Sequence, residues 1–115
     1  VSPTYAAASP PASPVRARLC NRRFAESFAL ECSGLNYDAT ISRFDGGNLA
    51  EIFLNCTKNG SAADAAAKDA AVVCSIALQY GVPLDVISHA LLRDPRGKAS
   101  SPLGVALDMI GEAAP

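Results

Sequence analysis

Two short stretches of this chain place cations, hydroxyls and glycine directly ahead of a helical pattern: Lys58-Asn59-Gly60-Ser61 and Arg96-Gly97-Lys98-Ala99-Ser100-Ser101. The N–H groups of a helix start, the positive end of its dipole, a hydroxyl and a nearby cation together suit a phosphate or another small anion. Lys58, Gly60, Ser61, Arg96, Lys98, Ser100 and Ser101 are therefore the candidate anion- or nucleotide-binding residues. Neither stretch is a phosphate-loop fingerprint, because no G-x-x-x-x-G-K-[ST] occurs. Ordinary capping beside a solvated turn is the plainer account of both. A second cationic feature is an arm: Arg16, Arg18, Arg22 and Arg23 all precede the first acid, Glu26. Such an arm meets nucleic-acid phosphates through counterion release, or simply solubilises a tail.

The thiols are Cys20, Cys32, Cys56 and Cys74, with no C-x-x-C pair, and the single histidine, His89, is distant from all of them in sequence. Buried thiols are the favoured reading over disulfides or a metal site, because a chain able to bury a core needs neither. No G-x-S-x-G or H-E-x-x-H arrangement organises the remaining serines, histidine and acids, so no catalytic residue and no cofactor is assigned.

These groups sit on a chain of 115 residues, half of them apolar, which is one domain in size and rich enough to bury a core. The formal charge is −1, but from residue 24 onward six Lys/Arg face eleven Asp/Glu. An acidic folded part preceded by a basic arm is the expectation. No apolar run approaches the ~18 residues of a membrane span, and the start lacks a signal-peptide core. These features predict a soluble, cytoplasmic protein with no membrane association.

Residues 1–22 read as a disordered Ala/Ser/Pro-rich tail carrying the basic arm, and residues 23–115 as the folded domain. Phe24, Glu26, Phe28, Leu30 and Cys32 alternate with Ala25, Ser27, Ala29 and Glu31, predicting a strand buried on its Phe/Leu face. Ser33-Gly34 turns the chain into a second strand over 37–44, with Tyr37, Ala39 and Ile41 on one side. Asp45-Gly46-Gly47 marks a hairpin into a third strand over 49–55, on which Glu51 falls to the solvent or edge side. Ser61 and Asp64 form a capping pattern for a helix whose inward stripe is Ala66, Ala70, Val73, Ile76, Ala77 and Tyr80. Gly81 and Pro83 close it. A second helix turns Leu84, Ile87, Ala90 and Leu91 inward and leaves His89 on its surface. Asp94-Pro95-Arg96-Gly97 fits a type I turn. Ser101 then caps a third helix with Pro102 in its first turn and Leu103, Ala106, Leu107 and Ile110 inward. Strands first and helices after give an α+β fold: a three-stranded antiparallel meander followed by three helices packed on one face.

The runs LAEIF (49–53) and ALQYGVPL (77–84) and the final Ser-Pro helix start together resemble the TSCPD domain, in the form found at the C-terminal end of cobalamin-dependent ribonucleotide reductases. The likeness spans residues 23 to 111. The motif that names the family falls on Ala99 to Leu103, with Ser101 where the motif has cysteine. Small members of the family look like zinc binders, with one cysteine just after the third strand and another near the last turn. Here Cys56 lies near the first of these positions, but the DPRGK turn has no cysteine and Ser101 replaces the last ligand. A serine hydroxyl stays protonated at neutral pH and coordinates zinc poorly, so no metal is expected. The resemblance implies a stand-alone, non-catalytic, ribonucleotide-reductase-related module acting by binding to nucleic acid, a nucleotide or a protein. A homodimeric assembly domain without a small ligand is the alternative, since the Ala-rich helix can pack against a copy of itself. An accessory subunit of a reductase is the third reading.

Overall fold

The computed structural model describes residues 15–20 and 24–113, except the side chain of Ala113. Most of the expected disordered tail, residues 1–14, together with Arg22 and Arg23, lies outside the described residues. The elements run β1 (Ala25–Cys32), β2 (Leu35–Arg43), β3 (Leu49–Cys56), α1 (Ala62–Gln79), α2 (Leu84–Ala90) and α3 (Pro102–Ala113). The sheet has the order β1-β2-β3 with both pairs antiparallel, so the protein is α+β, a meander followed by three helices. Ser33 (φ 53°) and Gly34 (φ 81°) both occupy the left-handed region, as the two-residue turn that matches strand twist demands. This turn sets Cys32 opposite Leu35 and fixes the register of the whole pair.

One face of the sheet carries the core. Tyr37, Ala39 and Ile41 stand opposite Cys56, Leu54 and Ile52, all buried, and are joined by Leu103, Ala106, Leu107 and Ile110 of α3. The third helix therefore buries the face its periodicity predicts, and Ser101 caps it by accepting from Gly104 N at 3.1 Å. Glycine is required at 104 because an added Cβ would stand 2.9 Å from the Cβ of Ala99, in the turn just before the helix.

Three expectations are corrected. On β1 only Leu30 and Cys32 are buried; Phe28 is half-buried, Glu26 exposed and Phe24 95% exposed. The helical layer thus covers the C-terminal half of that strand alone. On α2 nothing is fully buried: Leu84, Ile87 and Leu91 pack partly against the core, while Ala90 faces outward, because this seven-residue helix lies at the margin. On α1 the inward stripe is rotated from the expected one. Asp64, Ala67, Ala71, Cys74, Ser75, Leu78 and Gln79 are buried, whereas Val73 is 67% and Ile76 37% exposed, and Ala66 faces solvent.

The reason for the rotation is the outer edge of β3. In an antiparallel sheet the terminal strand leaves alternate N–H and C=O groups without a strand partner. Here α1 supplies the partners from side chains. Ser75 Oγ accepts from Ile52 N at 2.9 Å and donates to Ile52 O at 3.0 Å, Gln79 Nε2 donates to Ala50 O at 3.1 Å, and Asp64 Oδ1 accepts from Cys56 N at 3.0 Å. Asp64, Ser75 and Gln79 fall on one helical stripe, with Ala67 and Ala71 between them small enough for the helix to lie close to the strand. Leaving those backbone groups unmet costs about 1–3 kcal/mol each, which outweighs turning Val73 and Ile76 inward.

Candidate functional site

The first anion candidate is occupied by the protein's own carboxylate. Ser61 Oγ donates to Lys58 O at 2.7 Å and accepts from Asp64 N at 3.1 Å, while Ser61 N donates to Lys58 O at 3.3 Å. Asp64 Oδ2 takes Gly60 N at 3.1 Å and Lys68 Nζ at 2.9 Å. The Lys68 contact and the two backbone N–H groups hold the Asp64 carboxyl down to about 2, against desolvation, which acts the other way. Gly60 and Ser61 thus serve an internal anion, and Lys58 contributes its carbonyl to the same turn.

The second candidate is a narrow hairpin with Arg93 bridged to Ala99. The expected turn forms, with Gly97 N donating to Asp94 O at 2.9 Å. Asp94 Oδ1 accepts from Arg96 N at 2.8 Å and from Lys98 N at 2.9 Å, and Ser100 N donates to Leu92 O at 3.0 Å. Ser101 Oγ is taken up by Gly104 N, and Pro102 has no N–H to offer. Lys98 and Ser100 line a cleft of about 360 Å³, but Glu31 and Asp94 line it too, so an incoming anion meets two carboxylates. The Arg96 and Lys98 backbones are brought together by Asp94.

Of the basic arm, Arg16 and Arg18 are described. Arg16 Nε donates to Gln79 Oε1 at 2.6 Å and Ala17 N donates to Gln79 O at 2.7 Å, so the arm lies along the end of α1. Arg18, Leu19 and Cys20 then line a cavity of about 450 Å³ together with Ser42, Arg43 and Phe44. The expected free arm is therefore docked at Arg16. At this end of the sheet Ser42 and Glu51 stand opposite each other in register, and Glu51 is 8% exposed, which corrects its expected place at the solvent side.

Sequence reasoning missed Arg93. Its guanidinium forms a two-point pair with Asp108, Nη1 to Oδ2 and Nη2 to Oδ1, both at 2.8 Å. It also donates to Gly97 O at 3.0 Å and to the carbonyl and hydroxyl of Ser88, each at 3.2 Å. Asp108 is held below the usual carboxylate range, chiefly by this arginine. One side chain thus ties α2, the hairpin and α3 together. The only sequence signal was a lone arginine beside the turn, and its partner is fifteen residues away.

Cys32, Cys56 and Cys74 are buried thiols as expected, and burial pushes Cys74 up to about 11, which makes it inert. Cys20 departs from that expectation: it is exposed, with Sγ 4.0 Å from Asp45 Oδ1. The zinc set that small TSCPD proteins imply does not fit these residues. Ser101 uses its hydroxyl as the α3 cap, Asp94 uses its carboxylate in the turn, and Cys32 Sγ points to Ser100 O at 3.6 Å. No group of three His, Cys, Asp or Glu converges among the described residues.

What the rotation of α1 leaves outside is an apolar surface. Val72 (53% exposed), Val73 and Ile76 line the outer face, and Val72 joins Phe53 (50%), Thr40, Ala71 and Lys68 around a groove of about 500 Å³. Among the described residues, no helix is long and apolar enough to cross a membrane.

An antiparallel meander backed by helices, with its polar side chains engaged by its own backbone, defines a small α+β module. The TSCPD domain model matches residues 13–113, and the chain belongs to the TSCPD domain family. The match begins ahead of the docked arm, ten residues before the span read from the motifs. Comparisons with curated proteins and with solved structures found no match.

Proposed function

We propose that this TSCPD module performs no chemistry of its own and acts by binding a protein through the outer face of α1 and the adjoining Phe53 groove. One observation carries the reading: Val72, Val73 and Ile76 are exposed on the helix whose inner stripe includes Asp64, Ser75 and Gln79. Contiguous exposed apolar area on a small protein is characteristic of interaction sites. The nucleotide and nucleic-acid readings lose ground, because Gly60 N already serves Asp64, the Arg96 and Lys98 amides serve Asp94, and Arg16 is held by Gln79. The family resemblance makes a host ribonucleotide reductase the first partner to try, with the chain as its accessory subunit.

Purified reductase and affinity-purified host proteins are offered to the full chain, to a Val73→Glu/Ile76→Glu variant and to an Arg96→Ala/Lys98→Ala variant. The expected result is a partner that binds the parent and the second variant and is lost with the first. Loss with Arg96→Ala/Lys98→Ala alone overturns the reading in favour of an anionic ligand. The cytoplasmic location belongs to the same proposal, and fractionation of host cells tests it.

A further inference from the structure

The two outer edges of the sheet are treated differently. The β3 edge is closed by Ser75, Gln79 and Asp64. At the other edge the two-residue turn makes Cys32 and Leu35 a hydrogen-bonded pair, so Leu30, Phe28 and Glu26 bond to β2 in turn. The backbones of Ala25, Ser27, Ala29 and Glu31 therefore point away from the sheet, and all four residues are exposed. Among the described residues β1 has no proline, no lysine and no bulge, and no other strand pairs with its outer side; its only charges are Glu26 and Glu31, which a pairing register must keep apart. Four successive N–H and C=O pairs at strand spacing accept one kind of ligand, another extended chain.

We propose that the β1 edge is a strand-addition site and that its occupant is β1 of a second copy of this chain. This surface is distinct from the α1 face. Antiparallel self-pairing must match outward residues with outward residues, which allows the register centred on Phe28. In it Ala25 meets Glu31 of the second copy and Ser27 meets Ala29, giving about eight backbone hydrogen bonds over the full strand. Glu26 falls opposite Leu30, so no acid faces an acid. The one full-length register that sets Glu26 against Glu31 is forbidden by the alternation. On the core side the half-buried Phe28 stands opposite its own copy, an aromatic cross-strand pair. Phe24, 95% exposed in the single chain, is carried beside Cys32 of the second copy. The product is a continuous six-stranded sheet whose two outer edges are both closed by α1.

The register is tested by disulfide trapping. A pair without backbone bonds brings its Cα atoms to about 4.5 Å, within disulfide reach. In a Cys20→Ser background, Phe28→Cys is expected to cross-link into a covalent dimer under mild oxidation. Ser27→Cys, displaced from its own copy, is expected to cross-link far less. A second measurement needs no variant: in the full chain the Ala25, Ser27, Ala29 and Glu31 amides should slow their hydrogen exchange as concentration rises, in step with a dimer mass by light scattering. A monomer at all concentrations with those amides exchanging freely overturns the proposal. A monomer with the amides protected also overturns it, assigning the edge to a segment of the same chain. A dimer dissolved by Val73→Glu/Ile76→Glu with β1 exchange unchanged overturns it in favour of the α1 face, whereas loss of partner binding with the dimer intact leaves it standing.

Discussion

Asp64 joins the end of β3, the turn before α1 and Lys68 in one set of bonds. Its folded pKa is lowered from 3.8 to about 2, so the ionised form is the one that stabilises the fold. That contribution is complete above the unfolded value and disappears as pH falls from about 4 towards 2. Urea unfolding across that range is expected to show an acid limb that flattens in Asp64→Asn. Some slope should persist, because Asp108 is lowered in the same direction by Arg93. Ser75 makes a comparable point without charge. Ser75→Ala strips both bonds from Ile52 and is expected to cost about 1–3 kcal/mol in urea unfolding. Val73→Lys on the outer side of the same helix should stay within about 0.5 kcal/mol.

At the scale of the element, capping and close approach explain the final helix better than its apolar face alone. Ser101→Ala removes the cap and is expected to lower stability by about 1 kcal/mol, whether or not any ligand binds. Gly104→Ala raises helix propensity yet drives a methyl against Ala99, and is expected to be net destabilising by thermal unfolding. The hairpin ahead of the helix also decides the anion question. With Arg96 N and Lys98 N bound to Asp94, millimolar phosphate is expected to leave the amide resonances of residues 96–101 unshifted. A saturable shift there would reinstate an anion site.

For the whole molecule, α1, α3 and the sheet share one core, so damage in any layer is felt by all. Leu107, 2% exposed, is expected to cost about 2–5 kcal/mol when replaced by Ala. That is a large share of the roughly 5–15 kcal/mol that stabilises a domain, and circular dichroism should report a single transition at a lower midpoint. Elemental analysis is expected to find no stoichiometric zinc. One zinc per chain surviving chelator dialysis would overturn the degenerate-site reading.

Local rules made much of this legible in the residues alone. Ser33-Gly34 admits a tight turn, Ser61 and Ser101 cap helices, Gly97 closes the type I turn, and the i, i+3, i+4, i+7 spacing of Leu103 to Ile110 names a buried face. Each of these depends on groups a few residues apart. The α1 stripe was misread because its orientation depends on the β3 backbone, up to 29 residues distant, whose outward N–H and C=O groups exert no pull visible in apolar periodicity. Glu51 and Arg93 were missed for the same reason, since a buried acid or a two-point ion pair exists only once distant segments meet. The sequence by itself determined the order of the elements, their caps and turns, and the family. Tertiary structure alone decided which side of each element faces inward, because a helix buries whichever face satisfies both its own apolar groups and the polar edge it must close.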